Sequence, residues 1–298
     1  MIQIDALSNQ FDYFIVEAHR LKQLYAPQIT LLVGLETDYI TNIDLDGLES
    51  LLQRHGDRIE YIVGSIHHVN EISIDDDVPT YRKALESFGS IKKEDDRLEA
   101  FMLAYFDAQY ELTRRFKPEV IAHFDLCRLY NPSLRFADFP VVQKVIERNI
   151  RFAVDYGALF EINTAALRKG WSSPYPAEDV VEVMYIILTQ DPVHDNHLNL
   201  PQIIHRHNGR FTLSDDSHGP HAVGLNYHQL PEYLQAVSIS ELWVLQCSNV
   251  PNAARRTIQA VKLSGEWLHH EFWPVRSIPS IDDTLVGSPV TLGQYLTP

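Results

Sequence analysis

A short segment in the last third of the chain carries side chains that can bind a metal ion. An apolar run at 209–213 leads into Asp215, Asp216, Ser217 and His218, within the sequence LSDDSHG. Carboxylate oxygens and an imidazole nitrogen on a short loop are donors that suit Zn, Mn or Fe. Asp and Ser are also ordinary turn residues. By itself, the segment therefore fits a metal-binding loop and a polar turn after a strand equally well.

The elements predicted around this segment alternate between strand and helix. Runs rich in β-forming residues are followed by stretches with the helical spacing of apolar residues. The predicted strands cover 29–35, 59–63, 120–122, 158–162, 211–213 and 241–246, the last of the chain, and the predicted helices cover 8–25, 45–52, 80–116 with a break near Gly89, 141–156, 177–188 and 230–236. This alternation is typical of a parallel sheet with right-handed crossovers, open or closed into a barrel.

Polar side chains recur just after the predicted strands. They are Glu36, His67, His123, Asn163, Asp216 and His218. In a barrel of alternating strands and helices these positions share the catalytic face. Because unrelated turns would not be expected to supply this set of carboxylates and imidazoles, the recurrence favours a metal site over a series of polar turns.

The composition excludes some classes of partner. The chain has 298 residues with 25 Lys and Arg against 40 Asp and Glu, a net charge of −15. Such an acidic chain is a poor candidate for binding nucleic acid or an anionic membrane, although bound metal ions would still let it accept an anionic small substrate. Two distant cysteines, no secretory signal and no apolar run long enough to span a bilayer favour a cytoplasmic protein without a membrane partner.

Four segments occur in an order that resembles a known family. They are GSIHHV at 64–69, AHFDLCRL at 122–129, EINTAALRKG at 161–170 and LSDDSHG at 213–219. Together they resemble the polymerase-and-histidinol-phosphatase (PHP) superfamily, and more closely its histidinol-phosphate phosphatase branch of the fungal type. The resemblance runs from about residue 11 to about residue 226. It implies a distorted (β/α)7 barrel and hydrolysis of L-histidinol phosphate, a small phosphorylated amino alcohol, in histidine biosynthesis.

The resemblance also implies up to three divalent metal ions, Zn, Mn or Fe, and assigns their ligands. Glu36 matches the bridging carboxylate of the family, and His67 and His123 complete one metal site with it. Asp216 matches a ligand of a second metal, and His218 matches a ligand of the third.

The same resemblance implies the residues that act on the substrate. Arg168 lies where the branch has a phosphate-binding arginine, and its planar guanidinium suits paired phosphate oxygens. Asp216 and His218 are the other predicted catalytic residues, because a metal-bridging hydroxide attacks phosphorus in the family chemistry. From their positions alone, Asn163 at the end of a predicted strand and His221 three residues after His218 are predicted substrate contacts.

The chain departs from the family pattern before Glu36. The family has an HxH motif on its first strand, whereas the only histidine upstream of Glu36 is His19, within a predicted helix. We therefore expect a barrel that is incomplete at its N-terminal strands and fewer metal ions than three. Unpaired strand edges favour association, so a homo-oligomer is among the expected partners. An inactive or weakly active remnant, and a PHP phosphoesterase with another small phosphate ester as substrate, remain alternatives.

The predicted domain organisation is one phosphatase domain over 1–264 and a partly irregular extension over 265–298. An atypical insert at about 189–208 contains His205 and His207, which we interpret as part of an irregular surface loop rather than as a replacement for the missing motif.

Several polar residues near the motifs have two interpretations. His68 is predicted to pack or to support the site from behind the ligands. Asp125 and Asp215 either orient ligating imidazoles or cap helices. Ser65 is not a predicted nucleophile, because no Ser-His-Asp arrangement surrounds it.

Overall fold

The computed structural model describes residues 4–178, 180, 209–265 and 273. A parallel sheet of five strands forms its centre. The strands are β1 (Gly34–Glu36), β2 (Tyr61–Gly64), β5 (Val120–Ile121), β6 (Leu159–Asn163) and β7 (Arg210–Ser214). They lie in the order β1-β2-β5-β6-β7, and every neighbouring pair is parallel. The carboxyl ends of all five strands therefore meet at one edge.

Helices connect the strands, as parallel pairing requires. They are α1 (Ile4–Tyr25), α2 (Asn42–His55), α3 (Val78–Glu86), α4 (Glu94–Phe116), α5 (Pro140–Tyr156), α6 (Ala165–Arg168) and α7 (Leu230–Ala236). Two antiparallel hairpins lie outside the main sheet, β3 (His68–Val69) with β4 (Ile72–Ser73), and β8 (Trp243–Cys247) with β9 (Ile258–Lys262). Among the described helices, none combines the length and the hydropathy that crossing a bilayer would require.

The main core lies between the sheet and the helices α4 and α5. Its fully buried members include Ile62 of β2, Phe160 of β6, Phe106 of α4 and Ile146 of α5. A smaller cluster of Ile15, Val33 and Ile59 attaches α1 to the start of the sheet. Burial of these apolar side chains fixes the strands and, with them, the loops at the carboxyl edge.

Local signals explain where the helices beside the sheet begin and end. Thr41 and Asp44 form a capping box at the start of α2, in which the Thr41 amide donates to Asp44 Oδ2 at 2.7 Å. The helix α5 begins at Pro140, whose fixed φ suits a first helical position. It ends before Gly157, whose φ of +91° is in the left-handed region that favours glycine.

The loop between the last two strands is attached to the amino-terminal side of the sheet. The buried Glu119, which precedes β5, accepts hydrogen bonds from Arg256 Nε at 2.6 Å and from Asn252 through one oxygen. Its other oxygen accepts from the Ile62 amide at 2.9 Å. This buried carboxylate is therefore fully engaged in joining two parts of the fold, at the end of the sheet opposite to the catalytic residues predicted above.

The predicted alternation of strands and helices is confirmed, with differences in detail. The break near Gly89 separates α3 from α4, and the predicted strand at 29–35 shortens to Gly34–Glu36. The strand at 241–246 is not the last one, because β9 follows it and pairs with it. The hairpin of β3 and β4 was not predicted, since strands of two residues are too short to show a period of two.

The predicted parallel α/β class of the barrel is confirmed. Within the described ranges the main sheet has five strands rather than seven, and β1 and β7 form its two edges. The insert at 189–208, the predicted helix beyond residue 180 and the extension apart from residues 265 and 273 lie outside the described residues. The boundaries of the predicted domain and the homo-oligomer stay predictions.

Candidate metal centre and its cavity

Three neighbouring strands bring Glu36, His67 and His123 together. Glu36 ends β1, His67 follows β2, and His123 follows β5. The Nε2 atoms of His67 and His123 are 3.2 Å apart, and Glu36 Oε1 lies 3.2 Å from the His123 atom and 3.5 Å from the His67 atom. One donor atom from each residue lies within 4.8 Å of the others. Two imidazoles and a carboxylate are a common donor set for a catalytic zinc ion, so these residues fit a divalent metal.

Glu36 and His123 shift each other's pKa. Burial by itself would raise the pKa of Glu36, but the hydrogen bond and positive charge of His123, together with the Ser65 hydroxyl, lower it to about 2. Burial would lower the pKa of His123, but the hydrogen bond with Glu36 and the charges of Glu36, Glu161 and Asp216 raise it to about 9. Without metal, a proton is therefore held between the atoms that would coordinate the ion.

This proton makes metal binding depend on pH. Glu36 is ionised above pH 2, whereas His123 carries its proton until the pH passes about 9. Because a ligating imidazole must be neutral, we expect the apparent Zn²⁺ affinity to rise about tenfold per pH unit between pH 7 and 9, and then to level off. Titration calorimetry at pH 7.5, in two buffers that differ in ionisation enthalpy, should detect release of about one proton per Zn²⁺. A flat affinity over this range would contradict the expectation.

Two further carboxylates, Asp38 and Glu161, lie next to the histidines of the cluster. Asp38 lies 3.7 Å from His67 Nδ1 and 3.0 Å from His68 Nδ1, each measured to the nearer oxygen. Glu161 Oε2 accepts a hydrogen bond of 2.8 Å from the backbone amide of His123. Neither residue was singled out from the sequence. For Asp38, the available signal was a carboxylate two residues after Glu36, in the same loop that leaves β1.

A cavity of about 390 Å³ opens in front of the cluster. The predicted residues Arg168, Asp216, His218 and His221 line it, and so does Lys169, which the sequence reasoning missed. The further lining side chains are those of Glu36, His67, Asp75, His123, Leu126, Tyr175 and Ala222. Carboxylates and cations therefore face the same space, as binding of a phosphate ester and a metal ion would require.

Asp216 and His218 stand beside the three-donor cluster rather than in it. The backbone of Asp216 has a φ of +49°, and its side chain is close enough to His123 to raise the pKa of that imidazole. His218 Nδ1 lies 3.0 Å from the Asp216 carbonyl, and its side chain is 80% exposed. Of the five predicted ligands, the structure therefore brings three into mutual reach.

Arg168 lies at the exposed rim of the cavity. Its guanidinium donates to the carbonyls of Asp215 and Asp216 at 3.4 and 3.2 Å. The Asp215 carboxylate accepts from the amides of Ser217 and Gly224, so it organises the loop after β7 instead of orienting an imidazole.

Asn163 occupies a different place from the one predicted. Its side chain is fully buried, donates to Glu161 Oε2 at 3.0 Å and accepts from the Ala165 amide at 2.7 Å. It supports the floor beneath His123 and is not among the residues that line the cavity. Asp125 pairs with the buried Arg128 and accepts a hydrogen bond of 3.1 Å from the Ala177 amide.

Two fungal proteins are similar to this chain over most of its length. A Schizosaccharomyces pombe protein named probable histidinol-phosphatase is 37% identical over 269 residues, which cover 89% of this chain and 78% of that protein. The histidinol-phosphatase of Saccharomyces cerevisiae is 28% identical over 298 residues, which cover 91% of this chain and 81% of that protein.

The fold is shared with a solved structure. A Listeria monocytogenes protein assigned as a histidinol phosphatase superposes with a TM-score of 0.56 at 20% identity, covering 74% of this chain and 76% of that one. The PHP domain family model matches residues 6–165, more than half of the chain. On this family match and the relative that is 37% identical, the chain belongs to the PHP domain family.

Proposed function

We propose that this protein is a metal-dependent phosphomonoesterase that hydrolyses L-histidinol phosphate to L-histidinol and phosphate. The observation that carries the proposal is the convergence of Glu36, His67 and His123 on a cavity that Arg168 and Lys169 also line. The names of the two fungal relatives support the same substrate.

In the proposed mechanism each side chain has a defined task. Glu36, His67 and His123 would hold the metal ion, Zn, Mn or Fe, with Asp216 beside them. When bound, a divalent ion would lower the pKa of water and neutralise charge on the phosphate. Arg168 and Lys169 bind phosphate oxygens. The paired N–H donors of the guanidinium stabilise the negative charge that develops on these oxygens during phosphoryl transfer.

Three further predicted residues have narrower roles. The exposed His218 lies beside Asp216 and lines the cavity. His221 lines the same cavity and is a candidate phosphate contact. We propose no substrate contact for Asn163, because its amide is engaged beneath the site.

An assay of the purified chain tests this function directly. Phosphate release is measured from L-histidinol phosphate and from a panel of sugar and amino-alcohol phosphates, with the metal content determined by mass spectrometry. We expect histidinol phosphate to be the preferred substrate, a chelator to abolish its hydrolysis, and added Zn²⁺ or Mn²⁺ to restore it. A higher kcat/KM for another ester would instead support a different PHP phosphoesterase. A metal-loaded chain that hydrolyses none of the esters would support the inactive remnant.

A further inference from the structure

The charged side chains that line the cavity are divided between two parts of the fold. Arg168 and Lys169 come from the segment after β6, and His221 comes from the loop after β7. Asp75 comes from the segment that leaves the sheet at β2. Asp75 follows the β3–β4 hairpin, whereas Arg168 and Lys169 follow β6, and β5 lies between β2 and β6 in the sheet. A ligand in this cavity can therefore meet cations from one segment and a carboxylate from another.

The carboxylate of Asp75 is available to such a ligand. It is half-buried and accepts a hydrogen bond of 3.2 Å from the Ser73 hydroxyl. Within the part of the chain that the structure describes, no Lys, Arg or His nitrogen lies within 4 Å of it. The other two carboxylates of this loop differ, because Asp77 caps α3 through the Thr80 amide at 2.7 Å and Asp76 is exposed and does not line the cavity.

The surroundings of Asp75 form a rigid, polar wall. The Tyr130 hydroxyl donates to the Asp75 carbonyl at 3.1 Å, which fixes the backbone of the loop. Tyr175 lines the same cavity and is 1% exposed, and its hydroxyl has no hydrogen-bond partner among the described residues. Burial and the charges of Asp125 and Asp75 raise the pKa of Tyr175, so this hydroxyl remains a donor. The wall therefore offers both a carboxylate and an unpaired hydroxyl.

We propose that Asp75 determines specificity by binding the ammonium group of the phosphorylated amino alcohol, whose phosphate lies at Arg168 and Lys169. The proposal rests on the proposed function and adds how the substrate is distinguished from other phosphate esters. A half-buried carboxylate that loses water on ligand binding favours a cationic group, and a charge-assisted hydrogen bond is stronger than a neutral one. A ligand without the ammonium group would leave the carboxylate unpaired, which is the basis of strong discrimination.

The test compares two substrates that differ only in the ammonium group. They are L-histidinol phosphate and its deamino analogue, which keeps the imidazole and the phosphate. In the wild-type protein we expect kcat/KM to be about 10- to 100-fold higher for the amino substrate. Asp75→Asn should lower kcat/KM for the amino substrate by a similar factor, mainly through KM, and change the rate for the analogue less than about threefold. Asp76→Asn is the matched control and should leave both values unchanged.

The outcomes separate the two proposals. Equal wild-type kcat/KM values for both substrates would overturn the role of Asp75 without any variant, while the phosphatase function would stand. An equal loss on both substrates in Asp75→Asn would also overturn it, because that pattern indicates a structural role. If neither substrate releases phosphate in the metal-loaded wild-type protein, the proposed function itself fails. Metal content and melting temperature matching wild type in Asp75→Asn would show that the variant is intact.

Discussion

Replacing Glu36 by glutamine is expected to remove the bound metal and to lower phosphate release by about 1,000-fold. Glu36 is the anionic member of the three-donor cluster, and its oxygen lies within 3.5 Å of both imidazole nitrogens. Glutamine keeps the shape of the side chain but removes its charge. Two neutral imidazoles then remain to hold a divalent cation, and the amide has only one oxygen to offer it.

Two measurements check this result. Mass spectrometry gives the metal content per chain, and initial rates with L-histidinol phosphate at saturating Zn²⁺ give the activity. Glu49→Gln is the matched control, because Glu49 lies exposed on the helix α2, where it pairs with Arg115. It should bind metal and react as the wild-type protein does. A Glu36→Gln protein with a full metal equivalent and a wild-type rate would show that the metal site lies elsewhere.

The variant Asp125→Asn is expected to lower the free energy of unfolding by about 3–5 kcal/mol. Asp125 and Arg128 are 0% and 2% exposed, and their charged groups are 2.8 Å apart. Arg128 also donates to the Leu134 carbonyl at 2.8 Å and lies 4.9 Å from the Phe136 ring centre. Without the carboxylate, a guanidinium charge stays buried among aromatic rings with its counter-charge at Asp125 removed.

Urea denaturation of the metal-free protein measures this loss. Asp107→Asn removes the partner of a more exposed arginine, Arg148, and should cost less than about 1 kcal/mol. The double variant Asp125→Asn/Arg128→Met should recover part of the stability, because an apolar side chain no longer needs a counter-charge. Equal midpoints for Asp125→Asn and Asp107→Asn would contradict the expectation. Since Asp125 lies two residues after His123, the activity of folded Asp125→Asn also reports how rigidly this segment holds His123.

Much of the fold could be predicted from the sequence. The spacing of apolar residues changes between strand and helix along the chain, and it gave the parallel α/β class and the break near Gly89. The short hairpin of β3 and β4 and the strand β9 could not be predicted in this way. Two-residue strands show no periodicity, and β9 is held by its pairing with β8 rather than by a buried face of its own.

The sequence by itself determined that Glu36, His67 and His123 lie at one edge of the sheet. Parallel strands place their carboxyl ends together, so polar residues that follow β1, β2 and β5 must lie close to one another. Glu36, His67 and His123 follow this rule, and the observed distances agree with it. It depends only on position along the strands, which is a local property of the chain.

Only the tertiary structure decided where the loop side chains point. Asp216 has a left-handed backbone, and Asn163 turns inward to Glu161 while its backbone pairs with that of Tyr175. The approach of Asp75 to the same cavity as Lys169 depends on packing between segments almost a hundred residues apart. Hydrophobic periodicity carries no information about these contacts, because polar groups in loops are oriented by partners that the fold brings to them.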